Sequence, residues 1–130
     1  MALTKTGAVL VSSASNAAGS TTRGRLDVST ADGGEIRRRI TNGVTGPTTQ
    51  CEARIMVARK QASMPAAGAE GTGDDAWKQV WVAGGGTKAS ASSRGTYQFG
   101  PEVAYVQVEF ADNTGQAVTV ECTGDSYTYS

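Results

Sequence analysis

The stretch "EVAYVQVEFADNTGQAVTVECTGD", Glu102 to Asp125, decides the fold. Its first half sets Ala104, Val106, Val108 and Phe110 against Tyr105, Gln107 and Glu109. Its second half sets Val118, Val120 and Cys122 against Thr119, Glu121 and Thr123. Side chains alternate sides along an extended chain, so this period of two predicts two half-buried strands. The "DNTGQ" between them is short and contains Asn and Gly, which predicts a hairpin connection.

The same alternation extends outward from this stretch. "QCEARIMVARK" places Cys51, Ala53, Ile55 and Val57 on one face, with Glu52, Arg54 and Met56 opposite. "GAVLVSS" and "RGRLDVS" read as strands, the second with Leu26 and Val28 inward. "AWKQVWVAG" carries Trp77, Gln79 and Trp81 on one side and Ala76, Val80 and Val82 on the other, and "GTYQFGP" is a short strand ended by Gly100-Pro101. About eight strands at this spacing predict an all-β chain, a single antiparallel β-sandwich or jelly-roll-like barrel over residues 1–130. Hydrophobic residues make up 38% and aromatics 6%, which suits a thin core where only alternate residues need be apolar. Residues 61–75 and 84–95, rich in Gly, Ala and Ser and without periodicity, are expected to be flexible loops. The first 20 or so residues, with "SSASNAAGSTT", are expected to form a mobile N-terminal arm around the first strand.

"GGEIRRRITNGVTGPT", from Gly33, is the ambiguous segment. As a helix it would pair Glu35 with Arg39 and end at Asn42-Gly43, but two turns after a doubled glycine are marginal. As a strand it places Ile36, Arg38 and Ile40 on one face and Arg37 and Arg39 on the other. The strand is the better reading, and it leaves Arg38 among isoleucines, where a guanidinium must pair, reach the rim or lie at an edge. Arg37 and Arg39 are then expected to meet Glu52 or Glu121 across a solvated sheet face, or to contact a protein partner. A nucleic-acid role has little support, since 12 basic residues are cancelled by 12 acidic ones and no aromatic residue is interleaved with the arginines.

No stretch is long and apolar enough to span a bilayer. "GAVLV" reads as a strand, although the small residues after it would also suit a signal cleavage site. The chain has no histidine and only two cysteines, Cys51 and Cys122. The usual zinc sites and the Ser-His-Asp and Cys-His arrangements are therefore excluded. Each cysteine sits in an apolar alternating run, so buried free thiols are expected; a disulfide would require export. Asp74-Asp75 and Asp112, Asn113 and Asp125 lack the ligand spacing of a calcium loop and read as turn residues. No enzyme, cofactor or metal is expected. Trp77 and Trp81 project from one strand and are candidates for a protein interface or for stacking on sugars, unless one fills the core. Tyr127 and Tyr129 alternate in the "SYTYS" tail as a last strand or an arm onto a neighbour.

The blocks "RRRITNGVTGPTTQCEARIMVA" and "YVQVEFADNTGQAVTVE" resemble small β-sandwich virion proteins of tailed bacteriophages, "ITNG-x-TGPT" and "DNTGQAVTVE" being the specific pieces. The resemblance implies a non-enzymatic structural protein, a capsid decoration (cement) protein or a neck or tail accessory protein. It would be assembled in the host cytoplasm and located in the virion. Its partners would be the major capsid protein or another virion protein and further copies of itself. Arg37, Arg38, Arg39, Trp77, Trp81, Tyr127 and Tyr129 are the expected partner-interface residues; no family-defined active residues carry over.

Overall fold

In the computed structural model, which describes residues 2–130, the chain forms eight strands: β1 (Leu3–Asn16), β2 (Thr22–Asp27), β3 (Gly33–Asn42), β4 (Glu52–Ala58), β5 (Lys78–Gly84), β6 (Ser92–Phe99), β7 (Tyr105–Ala111) and β8 (Val118–Tyr129). They make two antiparallel four-stranded sheets. Sheet A has the order β1-β8-β3-β6 and sheet B the order β2-β7-β4-β5. The all-β sandwich expected from the alternation is present, and the arginine segment is strand β3, hydrogen-bonded on both sides.

The expected hairpin is absent. β7 pairs with β2 and β4, and β8 pairs with β1 and β3, so the two strands lie in different sheets. Alternation reports that a segment is extended and half buried; it does not report its neighbour. The "DNTGQ" loop is an arch between the sheets. Thr114 at its crest bridges to Thr49 rather than across a hairpin, and buried Asn113 ties its base to β1 by a 2.7 Å bond accepted from Asn16 Nδ2.

The interior is where the alternating faces meet. Ile36, Ile40, Val118, Val120 and Cys122 of sheet A pack on Cys51, Ala53, Ile55, Val106, Val108 and Phe110 of sheet B. Residues 3–16, expected within an arm, are strand β1. Few of its side chains are buried, and what holds it is backbone pairing along β8, whose edge would otherwise stay unpaired. One side of the sandwich closes where β1 crosses β2. A side chain at Gly24 would put its Cβ 2.1 Å from the Leu10 carbonyl oxygen, so only glycine admits that approach.

Sheet B also buries much of its outer face. Met56, Ala58, Trp77, Ala104 and Tyr105 form a second apolar cluster there, with Met64 against it. Residues 59–77 cover it. Gln107, fully buried, holds the covering segment from both sides. Its Oε1 accepts from Gly68 N–H at 3.1 Å and its Nε2 donates to Gly68 O at 2.7 Å. Trp77 Nε1 donates to Ala66 O and Tyr105 Oη to Gln61 O. The remainder of this face is ionic: Glu109 accepts from Arg23 at 2.7 Å and from Arg54 at 3.1 Å. Met56, Gln107 and Glu109 thus point outward as read, but away from solvent. The 84–95 stretch, expected as loop, ends within β6, which begins at Ser92; its glycines wrap Asn42, whose Nδ2 donates to the carbonyls of Gly85, Gly86 and Lys88.

Two outcomes follow. Gln107→Leu removes both partners of the half-buried Gly68 N–H and C=O, and should cost about 1 kcal/mol in a urea titration while opening residues 61–75 to protease. Cys51 and Cys122 are free and buried. Burial above all pushes their thiols up to about 11 and about 12. Native protein should therefore resist alkylation that unfolded protein undergoes at both sites. A folded pKa above the ordinary 9.0 gives stability that is complete below about pH 9 and lost as the pH rises toward 11 and beyond. The urea midpoint should fall across that range, and fall less in the Cys51→Ala/Cys122→Ala protein.

Candidate functional site

Strand β3 distributes its three arginines by period. Arg37 lies on the outer face of sheet A and is held by Asp125 Oδ2 at 2.8 Å, with Glu35 as a second carboxylate partner. The bond it donates to Asp125, then that to Glu35, raises its pKa above the usual arginine value. Arg39 lies opposite Glu121 on β8 and Arg94 on β6. Glu52 is in the other sheet and pairs with Arg54, so of the two carboxylates expected near the arginines only Glu121 is on their face.

Arg38 points into the sandwich and is 5% exposed. Its guanidinium lies 5.2 Å from the centroid of the Trp81 ring, and Nη1 donates to Ser93 Oγ at 2.8 Å. Nε has no partner among the described residues. No carboxylate compensates it, and burial lowers its pKa. The residue opposite on β6 is Gly95. An added Cβ there would come within 2.6 Å of Trp81 and 3.1 Å of the guanidinium, so the missing side chain makes the space in which cation and indole stack.

The two tryptophans do not share a face. The pairing of β4 with β5 shifts between Ile55 and Met56: Ile55 meets Trp81 but Met56 meets Gln79, leaving Val80 as an extra residue. This bulge turns Trp81 inward to Arg38 and leaves Trp77 outward, 2% exposed beneath the covering segment. A one-residue insertion in a pairing register is invisible to a count of alternate positions. The expected Trp77/Trp81 stripe is therefore replaced by two separate packing roles.

Tyr127 and Tyr129 are in the last turns of β8, edge to face with centroids 5.8 Å apart. They line an open cleft of about 590 Å³ on sheet A together with Leu3, Lys5, Glu35, Gln98 and Asp125. Paired aromatics beside carboxylates and an amide suit a polar ligand with flat apolar faces. Gln98 was not singled out from the sequence, Glu35 entered only as a helix partner of Arg39, and Asp125, read as a turn residue, lies within β8; the three converge only through strand pairing.

A third surface lies at one pole, where the loop after β3 meets the β7–β8 arch. Thr48 N–H donates to Thr114 O at 2.8 Å and Thr114 N–H to Thr49 O at 3.2 Å, joining the loop after β3 to the β7–β8 arch. Ser90 N–H donates to Gly43 O at 2.8 Å from a third loop. Val44 caps this braced tip at 91% exposure. Among the described residues, no three His, Cys, Asp or Glu side chains are grouped to hold a metal ion.

No protein-family model matches the chain, and no curated protein sequence matches it. Among solved structures, a cleaved adhesin domain of Lys-gingipain from Porphyromonas gingivalis is similar at TM-score 0.60 and 8% identity, over 88% of this chain and 73% of that one. The SPBc2 prophage-derived protein YomS is similar at TM-score 0.47 and 14% identity, over 98% of this chain and 96% of that one. A family 16 carbohydrate binding module is similar at TM-score 0.48 and 10% identity, over 85% and 71%. At these identities the likeness is one of fold, and the class so defined is a small two-sheet β-sandwich domain.

Arg38→Met keeps the stem and removes an uncompensated buried charge. It should leave stability unchanged or raise it by about 1 kcal/mol or more, read as a higher urea midpoint. Gly95→Ala should lower stability by about 1–3 kcal/mol through overpacking.

Proposed function

We propose that the chain is a structural protein of a bacteriophage particle, a decoration protein that binds the outer shell in many copies. The observation that carries this reading is the tip. The segments that resemble phage virion proteins, distant in sequence, are hydrogen-bonded into one rigid end that presents an almost fully exposed valine. An apolar side chain on a braced loop can enter a pocket on a partner at little entropic cost. The partner is the major capsid protein or another virion protein, and each copy would add a small interface whose effect accumulates by mass action.

The test is to locate the chain by mass spectrometry in purified particles, separated into heads and tails, and to repeat with Val44→Asp. Wild-type protein is expected in the head fraction, and the variant should lose about tenfold or more in bound copies (~1.4 kcal/mol) with an unchanged melting temperature. Presence in tails alone would reassign it to a neck or tail role, and absence from particles would end the proposal.

A second reading rests on the tyrosine cleft. For the sugar-binding alternative Trp77 is buried and Trp81 is half-buried against Arg38, whereas Tyr127, Tyr129, Glu35, Gln98 and Asp125 offer stacking planes beside hydrogen-bonding groups. A glycan screen with wild-type protein and Tyr127→Ala decides it. Binding that disappears in the variant supports the cleft, and binding that persists, or none at all, removes it.

A further inference from the structure

Sheet A has a free edge at β1, and its first half is unguarded. Leu3 to Val9 contains no proline, one lysine and no bulge, and the pairing with β8 is regular throughout it. The first irregularity comes after Val9. Ala2 and Ser130 exchange both backbone hydrogen bonds. In an antiparallel ladder the residues that bond to a given neighbour alternate, so Thr4, Thr6 and Ala8 also bond to β8. The N–H and C=O groups of Leu3, Lys5, Gly7 and Val9 then point away from the sheet. Edges of this length are usually blunted by charge, proline or a covering segment.

We infer that this edge pairs with the same edge of a second copy, antiparallel about a two-fold axis at Thr6, joining two A sheets into one. The register follows from the sequence. A pairing centred on Lys5 would set Lys5 against Lys5, which is unfavourable. One centred on Gly7 would set Leu3 against Val11, beyond the irregularity. Centred on Thr6, all four outward-bonding residues find partners: Leu3 meets Val9 and Lys5 meets Gly7, each pair occurring twice. Leu3 and Val9 are among the large apolar residues that sheet A leaves exposed, at 49% and 63%, and each covers the other. Gly7 lies beside Asp125 on β8, and a Cβ at Gly7 would be 3.4 Å from Asp125 Oδ1. Lys5 of the second copy therefore crosses a glycine to reach a carboxylate. Apolar and charge complementarity coincide in one register, as an isologous contact requires. The inference does not depend on the phage reading; the pairing draws on Leu3, Lys5 and Asp125, which also border the tyrosine cleft.

Light scattering coupled to size exclusion gives the mass in solution, with a dimer expected. Gly7→Lys places like charges opposite each other and should yield a monomer with an unchanged melting temperature. Lys5→Glu combined with Gly7→Lys should restore the dimer. Under mild oxidation Thr6→Cys, on the two-fold axis in a closely spaced non-hydrogen-bonded pair, should give a disulfide-linked dimer, and Thr4→Cys should not. A wild-type monomer at high concentration, or a dimer that Gly7→Lys leaves intact, overturns the inference, whatever the particle or glycan experiments show. If Gly7→Lys fails to fold, the contrast between Thr6→Cys and Thr4→Cys decides alone: equal cross-linking of the two, or none, overturns it.

Discussion

The guanidinium of Arg38, held in the interior without a carboxylate partner among the described residues, sets the terms for the β5–β6 side of this sandwich. β3 is paired on both sides, so its period cannot slip to bring the charge outside without exposing Ile36 and Ile40. The cation must be accommodated where it is. An indole face, a serine hydroxyl and the absence of a Cβ at Gly95 accomplish this. The bulge at Val80 belongs to the same arrangement, because without it Trp81 could not face inward while Trp77 lies outside. A buried cation with an aromatic partner on the opposite sheet ties β3 to the edge strand β5.

At the opposite side and at the tip, hydrogen bonding replaces charge. The arch from β7 to β8 is fastened by Asn113 to Asn16, and Thr22 donates to Asn16 in turn at 2.7 Å. Because consecutive strands sit in different sheets, the arch links the two layers covalently as well as by packing. Non-local pairings of this kind dominate the fold, which places it among topologies that fold slowly for their size.

Much of the fold is legible in the sequence, and the limits have physical causes. Alternation in 104–110 and 118–123 identifies both strands and the residues they turn to the core, Val106, Val108, Phe110, Val118, Val120 and Cys122, because hydrophobic burial acts on each residue separately; Ala104, read with them, lies in the outer cluster. Alternation gave no sign that the strands part, because pairing depends on contacts with β2, β4, β1 and β3. Arg38 was expected among isoleucines and is there; its solution, through Trp81 and Gly95, required knowing that the β4–β5 register shifts. Met56 and Gln107 are the signal that was available for the covered outer face of sheet B: an apolar residue and an amide stand at the outward positions of neighbouring strands, where fully solvated strands would carry charge. The cleft was half visible, since Tyr127 and Tyr129 alternate, whereas Glu35, Gln98 and Asp125 come from three separate strands.

The covering of sheet B by residues 59–77 makes the molecule directional. A sandwich with two solvated faces could be turned over and still offer a neighbour similar ground. This one covers much of the outer surface of one layer with its own chain and leaves the other layer bare, so its two sides are chemically unlike. An object of that kind has an up and a down.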